Sequence, residues 1–155
     1  MRIILALILA VAAAIPAAAE DKRVGYYYPA VTSEETFVRS LGNTPPANRA
    51  VRANFITEIT KAQLEGSNDP KFVVFAKGAA AEHMIILAVN DEVFRTLYRA
   101  RAVMAQLTAN ARGTEFFKSN NLQFVATWFD LAKLLGFEDI VVSDGVTWSH
   151  RIILE

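Results

Sequence analysis

Two side chains of this 155-residue chain combine a polar or charged head with an apolar setting, and they define the chemistry open to it. His150 falls in the alternating run Val146, Trp148, His150, Ile152 and Leu154, which puts its imidazole on one strand face with large apolar groups. Asp144-Gly145, just before it, is a preferred dipeptide of two-residue type I′ hairpins. Such a turn sets Asp139 opposite His150, whereas a three-residue loop with a bulge sets Glu138 there. Either carboxylate would orient the ring for general-base work, the chemistry of a small hydrolase or isomerase. That chemistry also needs a nucleophile, an oxyanion site or a metal, and no spacing in the chain specifies one. A hydrogen-bonded structural histidine is the other reading.

Arg101 sits near the apolar stripe Val93, Leu97, Ala100, Met104, Leu107 and Ala111, roughly 60–80° from its centre at about 100° per residue. A partly buried guanidinium needs a carboxylate, carbonyls or an anionic ligand. Arg101 is therefore expected either to pair with a carboxylate near Asp130 or Asp144, or to anchor a small anion. Arg95 and Arg99 read as a solvated face beside Tyr98. Lys77-Gly78 and Ser143-Asp144-Gly145 are loops where polar side chains leave buried strands, a frequent location for function. The candidate ligand-binding set is thus Lys77, Arg101, Asp130, Asp144 and His150. No catalytic residue and no cofactor is assigned. Lys77-Gly78 lacks the remainder of a phosphate loop, no dinucleotide-binding glycine pattern occurs, and no serine lies in a nucleophile elbow. Two isolated histidines, His83 and His150, without any cysteine do not compose a zinc site.

The positioning elements follow from periodicity. Thr32 stands three residues before Glu35, a capping-box spacing that predicts a short helix through about Leu41, ended by Gly42–Pro46. Val51, Phe55 and Ile59 recur every four residues from Ala47, and Leu64 extends an amphipathic helix to about Glu65. Phe72–Phe75 and Met84–Val89 are short buried strands forming a hairpin. Asn90 or Asp91 caps the long helix that carries Arg101 to about Arg112, with Gly113 as its stop. Thr127 and Gly136 bracket a further helix. A hairpin over Ile140–Leu154 closes the chain. The fold class is α+β, a mainly antiparallel sheet of four to five strands in two hairpins, covered by helices.

The start of the chain sets its address. Arg2, the apolar run Ile3–Ile15 and Ala17-Ala18-Ala19 match the three regions of a signal peptide, with cleavage expected after Ala19. The run is too short to span a bilayer. Residues 1–19 are the signal peptide and residues 20–155 a single α+β domain. Its removal takes one basic residue, leaving 15 Lys plus Arg against 16 Asp plus Glu, formally −1. That balance disfavours nucleic acid and anionic lipid as partners. Without cysteine there is no disulfide framework despite an oxidising destination, so burial must supply stability. All ten Phe and both Trp remain to supply it. Tyr26-Tyr27-Tyr28-Pro29 forms an aromatic edge that packs on its own domain or docks a partner.

The strings Gly25–Pro29, Thr32–Glu35, Phe75–Gly78, Leu97–Ala102 and Phe129–Leu131 through Ser143–Gly145 resemble a small exported proteobacterial family. The resemblance covers nearly all of the mature chain. Some members carry the name molybdopterin-guanine dinucleotide biosynthesis protein A, which implies a cytoplasmic nucleotidyltransferase with a glycine-rich, basic phosphate loop. This chain has no such loop, and an exported protein would lack GTP, so the name is read as mistaken and no catalytic residue is carried over. The sequence favours a periplasmic or secreted, non-catalytic module that binds a protein or a small anionic ligand in the cell envelope. The alternative is the hydrolase or isomerase above. Mass spectrometry of the periplasmic fraction should find a chain beginning Glu20-Asp21-Lys22; a cytosolic protein retaining Met1 contradicts export.

Overall fold

Asn48 accepts a hydrogen bond from the Val51 amide and starts α1 (Arg49–Leu64), the first of four helices among the described residues. The computed structural model describes residues 29–40, 47–89, 93–94 and 96–155, without the side chains of residues 115 and 116. The predicted signal peptide, Tyr26–Tyr28, the predicted Gly42–Pro46 break, the expected cap at Asn90 or Asp91, and Arg95 lie outside the described residues. The elements run β1 (Ser33–Phe37), α1, β2 (Phe72–Lys77), β3 (His83–Ala88), α2 (Leu97–Gly113), α3 (Glu115–Ser119), α4 (Trp128–Leu134), β4 (Asp139–Ser143) and β5 (Ser149–Leu154). No described helix is long and apolar enough to cross a membrane.

The fold is α+β with one five-stranded sheet in the order β1-β5-β4-β3-β2. Both expected hairpins form, yet the sheet is mixed rather than mainly antiparallel, because β3 lies parallel to β4 and β1 parallel to β5. A parallel pair needs a long crossover, and α2, α3 and α4 provide it between β3 and β4. The other parallel strand occupies the segment predicted as a capped helix. Ser33, Glu35 and Phe37 are half-buried while Glu34 and Thr36 are exposed, the period of a strand. The Thr32 hydroxyl, expected to cap a helix, instead donates to the Ser149 carbonyl and accepts from the Ser149 amide. Edge pairing thus overrides the local capping signal.

One sheet face carries Val74, Ile86, Val142 and Ile152 into a core completed by Phe55, Met104, Leu107 and Trp128 from the helices. The stripe of α2 is buried as its spacing requires, at Ala100, Met104, Leu107 and Ala111, although the helix begins only at Leu97, with Thr96 as its cap. In α1 the expected face is rotated. Val51 and Leu64 are exposed, and Arg52 is buried at 5% exposure.

Burying Arg52 is possible because its donors meet carbonyl oxygens. Nε and Nη2 both donate to the Ala80 carbonyl, at 3.0 and 2.8 Å, while Nη1 donates to Leu135 and Gly136, each at 3.1 Å, and to Ala47. Leu135 and Gly136 end α4. Gly136, at φ +76°, lets its own amide reach Lys133 and that of Phe137 reach Ala132, the reversal that closes the helix. The cation therefore sits at the negative end of a helix dipole and joins α1, α4 and the β2–β3 turn. Arg52→Met should destabilise the protein by about 1–3 kcal/mol for the stranded acceptors, and Arg52→Lys should recover only part, because an ammonium lacks the planar fork. Urea unfolding midpoints check this; an unchanged midpoint in Arg52→Met contradicts the role.

Candidate functional site

Of the five sequence-selected residues, Arg101 and His150 share one neighbour, the Glu35 carboxylate. His150 is 2% exposed, and its Nδ1 stands 2.8 Å from the Ser33 hydroxyl. Its Nε2 is 3.3 Å from Glu35 Oε1, within ion-pair distance but outside hydrogen-bond alignment. Glu35 in turn accepts from Arg101 Nη2 at 2.7 Å. Arg101 thus has a carboxylate partner, but it is Glu35 rather than one near Asp130 or Asp144, and its side chain is 62% exposed rather than partly buried. Burial alone would raise the Glu35 carboxyl; its contacts with Arg101 and His150 outweigh that and hold it below the usual range. A serine, a histidine and a glutamate are brought together across β1 and β5, and only the histidine had been singled out.

The expected Asp139–His150 or Glu138–His150 couple does not form. The β4–β5 connection is a five-residue loop, Asp144–Trp148, so His150 lies opposite Val142 and Asp139 opposite Ile153. That register is three residues from the one a two-residue turn would give. An odd shift turns Asp139 to the other face of the sheet. The cause is Asp144, whose Oδ1 accepts from the amides of Val146, Thr147 and Trp148 and organises the longer loop. Those bonds, against the opposing effect of burial, hold its carboxyl below the usual range.

Asp130 is 1% exposed and belongs to the start of α4. Its Oδ2 accepts from the Thr127 amide at 2.7 Å in a reciprocal capping box, and Arg39 lies 3.2 Å away. Lys77 ends β2 in register with His83. On that second face His83 Nδ1 is 3.1 Å from Asp139 Oδ1, while Arg151 Nη2 donates to Asp139 Oδ2 at 2.6 Å. Both carboxylate oxygens are therefore committed. Among the described residues no three His, Asp or Glu side chains converge as metal ligands would.

One feature able to receive a ligand is apolar. A cavity of about 590 Å3 opens between α1, α2, α4 and β2, within the size range of small-molecule sites. Phe55 and Ile59 of α1, Phe72 of β2, Leu107 of α2, and Trp128 and Leu131 of α4 supply walls. Ala62, Asn110 and Thr114, all exposed, form its rim. None of the described lining residues is charged. Trp128 is 5% exposed and its indole Nε1 has no hydrogen-bond partner. Sequence patterning had assigned these aromatic residues only to the core.

Comparison with protein-family models, curated proteins and solved structures finds no match to this chain.

The His83–Asp139 pair has a pH signature. The Asp139 hydrogen bond raises the His83 pKa against the lowering effect of burial. For Asp139, burial works upward but His83 and Arg151 outweigh it and lower the pKa. The contribution of His83 is full below its unfolded value of about 6.5 and is lost as pH rises through the higher folded value. That of Asp139 is full above about 3.9 and is lost as pH falls through its lower folded value. His83→Gln should therefore cost more stability near pH 5.5 than near pH 8.5, by up to about 1 kcal/mol. Equal losses at both pH values, measured by urea unfolding, contradict the pairing.

Proposed function

We propose that this protein is an exported, non-catalytic binding module of the cell envelope whose helix layer receives a small apolar molecule. The cavity between α1, α2, α4 and β2 carries the proposal: its walls are aromatic and aliphatic, and its rim is exposed. An apolar ligand transferred from water into such a chamber gains about 25 cal/mol per Å2 of surface buried. A periplasmic module of this kind keeps a poorly soluble molecule dispersed in an aqueous compartment. The absence of charge from the described lining favours this ligand over a small anion, which would need a cation in the chamber.

N-phenyl-naphthylamine should become fluorescent on binding the mature protein. Ala111→Phe, which fills the chamber from α2, should weaken that binding at least tenfold while leaving the protein folded. Equal binding by folded Ala111→Phe overturns the assignment of the site.

The Ser33–His150 contact favours a second reading, a hydrolase with Ser33 as nucleophile and His150 as base, since 2.8 Å is the spacing such a pair needs. Burial of the imidazole at 2% exposure and its pairing with Glu35 favour a structural clasp between β1 and β5 instead. Ester turnover by the mature protein that disappears in Ser33→Ala would establish the hydrolase.

A further inference from the structure

We infer that the turn between α3 and α4 docks on an anionic phospholipid surface, with Phe124 entering the bilayer interface and Arg39, Arg112 and Lys133 meeting lipid phosphates. Docking stands on this surface alone; that it brings the cavity to a source of apolar ligand rests on the proposed binding function. Phe124 is 85% exposed and its neighbour Val125 is 56% exposed, whereas Leu122 is half-buried and Ala126 buried. The two form an apolar tip. Its backbone is fixed, because the amides of Val125 and Ala126 both donate to the Leu122 carbonyl, at 3.1 and 2.9 Å, and the Leu122 amide donates to that of Phe117 at 2.8 Å. An aromatic ring held outward in water recovers its burial in a headgroup–acyl boundary.

Cations gather around this tip. Arg39 Nη2 donates to the Val125 carbonyl at 3.0 Å, Arg112 Nε donates to the next carbonyl, that of Ala126, also at 3.0 Å, and Lys133 Nζ donates to the Arg39 carbonyl at 2.8 Å. Three parts of the fold thus send a positive side chain to one short turn. Asp130, the acid that answers Arg39, is 1% exposed and also accepts from Thr127. Glu155 is an exposed acid nearby, but it meets Arg39 through the backbone, at the end of β5. Among the described residues neither Arg112 nor Lys133 has a carboxylate partner within ion-pair distance. Arg112 keeps both terminal nitrogens for a phosphate, which a guanidinium can hold through two hydrogen bonds. The formal charge of −1 counts charges wherever they lie; at a surface, those within a Debye length of about 8 Å decide. An acidic protein would satisfy the cations but not the ring, and a bilayer satisfies both. The same turn joins the helices that carry Phe117, Trp128 and Leu131 to the cavity, so docking sets the chamber beside a phase in which apolar molecules dissolve.

Co-sedimentation of residues 20–155 with mixed phosphatidylglycerol–phosphatidylcholine vesicles, compared with phosphatidylcholine alone, tests the site. Binding to the anionic vesicles should be at least about tenfold tighter, and salt at about 1 M, where the Debye length is about 3 Å, should remove the difference. Phe124→Ser and Arg112→Gln should each weaken that binding about fivefold. Both variants should bind N-phenyl-naphthylamine as the wild type does when no vesicles are present, since neither residue lines the cavity. In Phe124→Trp, brominated lipid in the anionic vesicles should quench fluorescence beyond the quenching of the wild-type Trp128 and Trp148, a direct sign of insertion. Equal binding to both vesicle types, undiminished binding by Phe124→Ser, or no added quenching in Phe124→Trp overturns the docking site and leaves the cavity reading standing. Binding to immobilised polyglutamate but to neither vesicle assigns the cations to an acidic protein and overturns it as well. Vesicle binding without any dye binding supports docking while the cavity reading fails.

Discussion

Four carbonyl oxygens, of Ala47, Ala80, Leu135 and Gly136, converge on the Arg52 guanidinium, and the placement of the helix layer depends on that convergence. Two of the four terminate α4, one belongs to the β2–β3 turn and one precedes α1. A charge this buried is tolerated only where acceptors replace its water, and helix-terminal carbonyls do so with a favourable dipole. The consequence extends along both helices. Phe55 and Ile59 lie beyond Arg52 on α1, Trp128 and Leu131 precede the α4 terminus, and all four face the same cavity. Fixing the two helices at one end leaves their apolar side chains as walls of a chamber.

A second constraint acts at the opposite side of the sheet. β1 is an edge strand, and such edges need specific closure. Here Thr32 bonds Ser149, Ser33 bonds His150, and Glu35 bridges His150 to Arg101 of α2. Arg39 and Lys133 extend the connection from the end of β1 to α4. The polar residues with the most suggestive chemistry therefore hold elements together, while the uncharged residues form the space a ligand would enter.

Much of the architecture was legible in local pattern. Thr127 and Gly136 mark α4 because caps are local chemistry, and the α2 stripe survives because it matches the helical period over several turns. The hairpin β2–β3 was readable for the same reason. The segment Ser33–Phe37 was not, since Thr32 and Glu35 fit a capping box while the deciding interactions come from Ser149 and His150, far along the chain. Asp144-Gly145 signalled a turn correctly but not its length, which the three amides bound by Asp144 determine. Arg52 gave no signal because its acceptors are backbone atoms, whose positions depend on the assembled fold. The cavity was equally hidden: an aromatic residue in a filled core and one in a chamber wall have the same periodicity.

The central claim is that this chamber is a real apolar space rather than a volume filled by the protein's own side chains. Apolar cavities stay dry and admit xenon. Diffraction from a xenon-pressurised crystal of residues 20–155 tests the claim most directly. The account predicts xenon density between Phe55, Leu107 and Trp128, with those side chains in place; the same volume occupied by protein atoms or ordered water, and free of xenon, would contradict it.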